Sequence, residues 1–580
     1  MARTVAEHLV DLMLEAGIRN VYGVVGDSAN PVVDAIRRTD GRLSFIHVRN
    51  EEAGAFAAGA EAQVTGRPAA VLGSSGPGSL HLLNGLYDCH RNGAPVFAIA
   101  THLPLAEIGT DYFQETRPDQ IFADCTHYCG YVMSAGQMPR IAQIALEAAI
   151  LERGVGMVIL PGDVGEAEVE DPLLAHRLAT RAPIVRPPDD QLDAVAALLN
   201  SDRKVVIYAG EGCRAARDEV LALAERLEAP TAYAFRGKDI VEAANPRAVG
   251  MTGLLGWGGA TAALEQADVV LMLGSDFPYR AFLPQDAEIV QVDDRPRHLG
   301  RRARITHGLV GDVGETVRLL LPRLQQRTGR AFLDEILDEH EKSMRHLRTY
   351  VTHRGSGEGL RPEMVADALS EAARDDAVFT IDTGMCNVWG ARYLQMKAGR
   401  RLLASFSHGS MANAMPQAIG AQLGAPDRQV IALCGDGGFT MLMGELLTAA
   451  GLGVPVKLMV FNNSTLGMVR AEMQVAGYPA FGTDVRNPDF GAVARAAGIH
   501  GQRVERPDDI RPAISAALDH DGPALIDFVT DPRALSMPPS TTFEQVKGFA
   551  LASAKAVFNR DSAEVWQTAR SNIRNVGQVL

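Results

Sequence analysis

Two short apolar runs, 428–434 and 454–461, each bounded by turn residues, constrain the fold of this chain more than any other feature. Each is too short for a core helix and apolar almost throughout, which fits a parallel strand buried on both faces. The first runs into Gly435-Asp436-Gly437 and the second into Asn462-Asn463, so their carboxyl ends deliver a carboxylate and an amide oxygen. Mg²⁺ takes one or two such groups and completes its shell with phosphate oxygens and water. Glycines at 435, 437 and 438 let a phosphate approach the backbone. Alone, Gly-Asp-Gly reads as an ordinary turn. With the paired asparagines it points to a diphosphate cofactor, thiamine diphosphate, held through Mg²⁺ by Asp436, Asn463 and one further carbonyl.

At 580 residues the length predicts roughly three to four domains. A net charge of −14 argues against a nucleic-acid partner. Cys89, Cys125, Cys129, Cys213, Cys386 and Cys434 have no paired Cys-x-x-Cys spacing, and reduced structural thiols in a cytoplasm are expected. The N-terminus lacks a signal peptide's apolar core and no apolar stretch is long enough to span a bilayer, so a soluble, at most peripheral, protein is expected.

Three blocks of alternating strands and amphipathic helices are expected: residues 1–180, 185–345 and 358–532, with a tail over 533–580. The joins are the proline-rich 181–190 and the polar 352–358, which follows a charged helical stretch. This α/β alternation predicts three doubly wound parallel sheets with ligands at the carboxyl ends of strands, plus a short helical tail. In the first block, Glu51 and Glu52 open a small-residue helix, either as helix-start charges or as a functional acid. The loop 73–79 either cradles a ligand or merely turns. In the second block, Gly210-x-Gly212 follows a strand, a weak dinucleotide signal, and another strand ends in Asp293, an acid suited to ribose hydroxyls.

Taken in order, Glu51, Gly76-Pro77-Gly78 and the 435–463 segment resemble the thiamine-diphosphate enzymes related to pyruvate oxidase and acetolactate synthase. Segments 81–92, 112–115, 250–253, 277–282, 408–416 and 547–549 are similar to the flavoprotein branch that oxidises pyruvate to acetate and CO₂ and reduces ubiquinone. The resemblance implies that Glu51 bonds the aminopyrimidine, that Met411 bends the cofactor, and that electrons pass from a hydroxyethyl enamine to FAD. It implies thiamine-diphosphate contacts from Glu51, Gly409, Ser410, Met411, Asp436, Gly437, Gly438, Asn463, Ser464, Thr465, Leu466, Gly467, Met468 and Val469. Mg²⁺ falls to Asp436, Asn463 and Thr465. FAD falls to Gly210, Gly212, Thr252, Gly253, Leu254, Leu255, Ser275, Asp276, Phe277, Pro278, Tyr279 and Asp293. Phe113, Gln114, Met468 and Glu472 fall at the substrate and electron-transfer positions. It also implies a site shared between two subunits and a homotetramer. The alternatives are a carboligase in which FAD is only structural, an enzyme acting on another 2-keto acid, and a non-catalytic flavin-binding oligomer.

Two residues depart from the family pattern. Asn50 stands where His is usual, which removes a titratable group beside Glu51, and Met468 stands where the close relatives carry Phe. Residues 547–580 hold five basic against two acidic residues, with Val565, Trp566, Ala569, Ile573 and Val576 at helical spacing. Such a segment either docks on lipid or packs on the protein body. The resemblance favours lipid and implies a cytoplasmic protein attached to the inner face of the membrane.

Overall fold

The computed structural model describes residues 3–169, 177–352 and 359–534. The expected tail helix lies outside these residues.

The first domain is a six-stranded parallel sheet: β1 (Asn20–Gly23), β2 (Ser44–His47), β3 (Ala69–Gly73), β4 (Val96–His102), β5 (Tyr128–Tyr131) and β6 (Val155–Pro161). Its order is β2-β1-β3-β4-β6-β5. The central sheet has β7 (Val205–Ala209), β8 (Thr231–Tyr233), β9 (Val269–Leu273), β10 (Glu288–Asp293) and β11 (His307–Val310), ordered β8-β7-β9-β10-β11. The third has β12 (Val378–Ile381), β13 (Arg401–Ala404), β14 (Val430–Gly435), β15 (Lys457–Asn462), β16 (His500–Val504) and β17 (Ala524–Val529), ordered β13-β12-β14-β15-β17-β16. The third sheet repeats the order of the first. All three are parallel, and each side of a strand feeds a different core: Ala70 and Leu72 of β3 pack in one cluster, Ala69 and Val71 in another. That is why these strands read as unbroken apolar runs.

In each sheet the order reverses beside the first strand, opening a crevice at the carboxyl ends of β1/β3, β7/β9 and β12/β14. Those ends carry the glycine turns at 73–78, 210–212 and 435–438.

The helices that position the site are α1 (Glu51–Thr65), α2 (Pro77–Asn92), α3 (Ala331–Val351), α4 (Met385–Tyr393), α5 (Ala414–Gly424), α6 (Asp436–Met441) and α7 (Gly467–Val475). Asn50 caps α1 by accepting the Glu52 N–H at 2.8 Å. Helix α1 is buried nearly all round because it lies between the first sheet and α5 of the third domain. Small residues make that approach possible: a methyl at Gly420 would stand 1.9 Å from the Ala57 carbonyl oxygen.

Candidate active site

The pocket of the third domain is built on two strand ends. Asp436 leaves β14 as the first residue of α6; its Oδ1 accepts the Gly437 N–H at 2.8 Å, and its Oδ2 accepts the Ser464 N–H at 2.6 Å and the Asn487 amide at 2.7 Å. Asn487 also donates to Asn462 Oδ1 at 2.9 Å, joining the ends of β14 and β15. Beyond β15 the chain turns through Ser464, at φ +55°, and Asn463 Oδ1 accepts the Thr465 N–H at 3.1 Å. Met411, Asp436, Asn463, Thr465, Leu466 and Met468 line the resulting pocket, together with Gly437, Gly438, Gly467 and Val469. A methyl at Gly437 would reach 2.6 Å from Leu466 Cδ2 and 3.4 Å from Met411 Cε, so glycine keeps this wall open.

Burial pushes the Asp436 carboxyl up to about 6, opposed by N–H groups of Gly437, Ser464, Asn487 and Asn463. Carboxylate, amide and carbonyl oxygens are the donors a hard cation takes. Among the described residues no group of three or more His, Cys, Asp and Glu is placed to hold a metal. One carboxylate with neighbouring amide and carbonyl oxygens leaves room in a cation's shell for phosphate oxygens or water.

A second group of residues gathers in the first domain. Glu51 is 5% exposed, and its Oε2 lies 3.0 Å from His81 Nδ1 on α2. A titratable group therefore does stand beside Glu51; it comes from His81, while Asn50 serves as the helix cap. A methyl at Gly78 would lie 3.0 Å from Glu51 Oε1. Gly76, at φ +66°, faces the Gln114 backbone oxygen, and Ser75 Oγ donates to Gln114 Oε1 at 3.3 Å. Phe113 next to it is 77% exposed. The buried Glu445 of the third domain accepts the Arg49 and Asn50 N–H groups at 3.0 and 2.9 Å, holding the approach to Glu51. Asn84 of α2 donates to Ser410 Oγ at 2.9 Å, beside Gly409 and Met411. Glu51, Phe113 and Gln114 do not line the pocket at Asp436.

In the central domain the glycines serve packing. A methyl at Gly210 would stand 2.4 Å from the Gly274 oxygen, and one at Gly212 would stand 2.6 Å from Gly274 Cα; their N–H groups bond the oxygens of Leu273 and Gly274. Thr252 Oγ1 meets Thr261 Oγ1 at 3.2 Å, and Gly253 packs on Phe277 and Tyr279, leaving Leu254 half exposed and Leu255 against the core. Ser275 is buried, Pro278 lies between Phe277 and Tyr279, and Asp276 pairs with Arg301. Asp293 Oδ1 accepts the Arg295 N–H at 2.9 Å and lies 3.1 Å from His298 Nδ1. Burial, and then the charge of the exposed Glu472 on α7, hold the Tyr279 phenol above its usual value.

Sequence reasoning did not find Asn487, His81 or Glu445. Asn487 and Glu445 carry no motif, and His81 lies in a quoted segment but only folding brings it to Glu51.

Models of the thiamine pyrophosphate enzymes match in three parts: the N-terminal TPP binding domain over residues 3–122, the central domain over 192–320 and the C-terminal TPP binding domain over 382–528. A putative thiamine pyrophosphate-containing protein of Bacillus subtilis is 34% identical over 97% of this chain and 98% of its own length. Pyruvate oxidase of Lactiplantibacillus plantarum is 31% identical over 89% of this chain and 87% of its own. The acetolactate synthase isozyme 2 large subunit of Escherichia coli is 30% identical over 91% of this chain and 95% of its own.

Proposed function

Because the chain belongs to the thiamine pyrophosphate enzyme family, we propose that it oxidatively decarboxylates pyruvate to acetate and CO₂, passing the electrons through FAD to ubiquinone. The observation that carries this reading is the join between the expected flavin segment and the thiamine pocket: Arg392 of α4 donates to the Leu255 and Gly256 oxygens at 3.3 and 2.9 Å, and Met385 and Trp389 of the same helix line the pocket. Electron passage between two cofactors needs such a boundary.

Thiamine diphosphate supplies an electron sink for decarboxylation and FAD a two-electron acceptor. Asp436, Asn463 and the Thr465 carbonyl would hold Mg²⁺. Glu51 holds a proton at the aminopyrimidine, with His81 beside it to exchange that proton with solvent. Met411 would pack against the cofactor, and Phe113, Gln114 and Glu472 would face the substrate. That Glu51 lies outside the pocket of its own chain supports a site completed by a second copy, in a dimer or a pair of dimers. Among the described residues no helix is long and apolar enough to cross a membrane. Access to quinone in the lipid is assigned to residues 547–580, which lie outside the described ones, and vesicle co-sedimentation with and without that segment tests it.

The acetolactate synthase similarity supports a second reading, in which the same pocket joins two keto acids and FAD is structural. Anaerobic addition of pyruvate to enzyme loaded with Mg²⁺, thiamine diphosphate and FAD separates the two. Bleaching of the flavin, reversed by a quinone analogue, supports oxidation; CO₂ release with unchanged flavin overturns it.

A further inference from the structure

We propose that Asp382 is a positioning residue that locks the turn carrying Met411 to the turn carrying Asp436; this rests on the thiamine-diphosphate reading of the pocket. Asp382 follows the last residue of β12 and is 1% exposed. Its Oδ1 accepts the Ala414 N–H at 2.9 Å, and its Oδ2 accepts the Gly435 N–H at 3.2 Å. The first bond lies three residues after Met411 and the second one residue before Asp436. A third segment closes on the same carboxylate, for a methyl at Gly438 would stand 2.7 Å from Asp382 Oδ2 and 3.0 Å from the Ala412 nitrogen.

A carboxylate is what this place needs. Its two oxygens each accept, whereas an amide offers one acceptor and turns its NH₂ toward the other donor. Burial pushes the Asp382 carboxyl up to about 7, and what opposes this is backbone N–H groups of Ala414, Gly435 and Asn413. A charge-carrying side chain in such a site costs stability, and the backbone N–H groups it accepts from offset that cost.

The turn it holds is itself strained: Ala412 has φ +67°, a left-handed conformation that non-glycine residues adopt only when their surroundings hold them there. That conformation sets where the adjacent Met411 side chain enters the pocket. The rest of the turn has other anchors. Asn413 Nδ2 donates to the Ile381 oxygen at 2.9 Å, and Thr380 Oγ1 donates to the Ala414 oxygen at 2.7 Å. An Asp382→Asn chain should therefore fold while the spacing between Met411 and Asp436 relaxes.

The test is a double-mutant cycle on the full chain: wild type, Asp382→Asn, Met411→Ala and the double variant, titrated with thiamine diphosphate at saturating Mg²⁺. Trp389, which lines the pocket, reports binding by fluorescence. The expected result is about tenfold weaker binding for Asp382→Asn, the scale of one mispaired buried hydrogen bond. In the Met411→Ala background the further loss should be less than about threefold, because the wedge is already gone. Unchanged affinity, or losses that simply multiply, overturns the proposal, whatever the thermal stability does. If wild type itself does not bind, it is the thiamine reading that fails, and this one with it. Should Asp382→Asn not fold, Asp382→Ser takes its place; failure of both to fold makes Asp382 a folding residue and overturns the positioning role.

Discussion

The contact between α1 and α5 makes a prediction whose sign is decided by two opposed effects. In a free helix, Gly420→Ala stabilises by about 1 kcal/mol through helix propensity. Here the added methyl would stand 1.9 Å from the Ala57 oxygen and 2.5 Å from the Ala57 carbonyl carbon, both backbone atoms that no rotamer change can move. A carbon beside a carbonyl oxygen needs about 3.3 Å, so the helices must part by about 1.4 Å or slide. Overpacking of this kind costs about 1–3 kcal/mol, and the backbone contact places it at the upper end. The net expectation is a loss of about 2 kcal/mol once the propensity gain is subtracted. Gly451, in the helix Leu446–Leu452, has nothing within 4 Å of such a methyl, and Gly451→Ala should be neutral or stabilising by up to about 1 kcal/mol. Denaturant unfolding of the two variants beside wild type checks both signs. Gly420→Ala as stable as wild type would refute the reasoning.

Buried Asp88 on α2 accepts from Asn92 and Gln417 at 3.1 and 3.2 Å, and burial pushes its carboxyl up to about 7 from 3.8. The folded state then holds a proton that the unfolded state has lost between those values, so this group's contribution to stability falls as pH rises from about 4 to 7. Asp88→Asn should flatten that slope, and melting curves at pH 5 and 7.5 that stay parallel to wild type would contradict it. His81→Ala removes the ring 3.0 Å from Glu51 and should lower kcat/KM while leaving thiamine-diphosphate affinity within about threefold, since its contact is with the acid. Met468→Phe should leave cofactor affinity unchanged and alter the rate of flavin reduction by pyruvate in stopped flow; an identical rate would separate residue 468 from electron transfer.

Much of this arrangement is legible along the chain because parallel strands buried on both faces leave a local signature. The runs at 428–434 and 454–461 appear as β14 and β15, and the residues just past their ends meet because the two strands are neighbours in the sheet, beside the crevice that order reversal opens between β12 and β14. The charged stretch before the second join is α3, and the helix opened by Glu51 is α1. Gly210-x-Gly212 shows the limit of such signals. A glycine pair after a strand is required equally by a ligand and by a neighbouring loop, and here both N–H groups bond the 273–274 segment.

The sequence by itself determined the fold class and the three sheets and pointed to Glu51, Asp436 and Asn463, since strand period, apolar run length and glycine spacing each follow from a few consecutive residues. Only the tertiary structure decided which distant side chains serve them. Asn487 reaches Asp436, His81 reaches Glu51, Glu445 holds the backbone before Glu51, and Asp382 ties two turns together. Each of these is a hydrogen bond or ion pair between residues at least 30 positions apart. Hydrogen bonds act over about 3 Å, so nothing along the chain encodes such a partner until helix and strand packing brings it within reach.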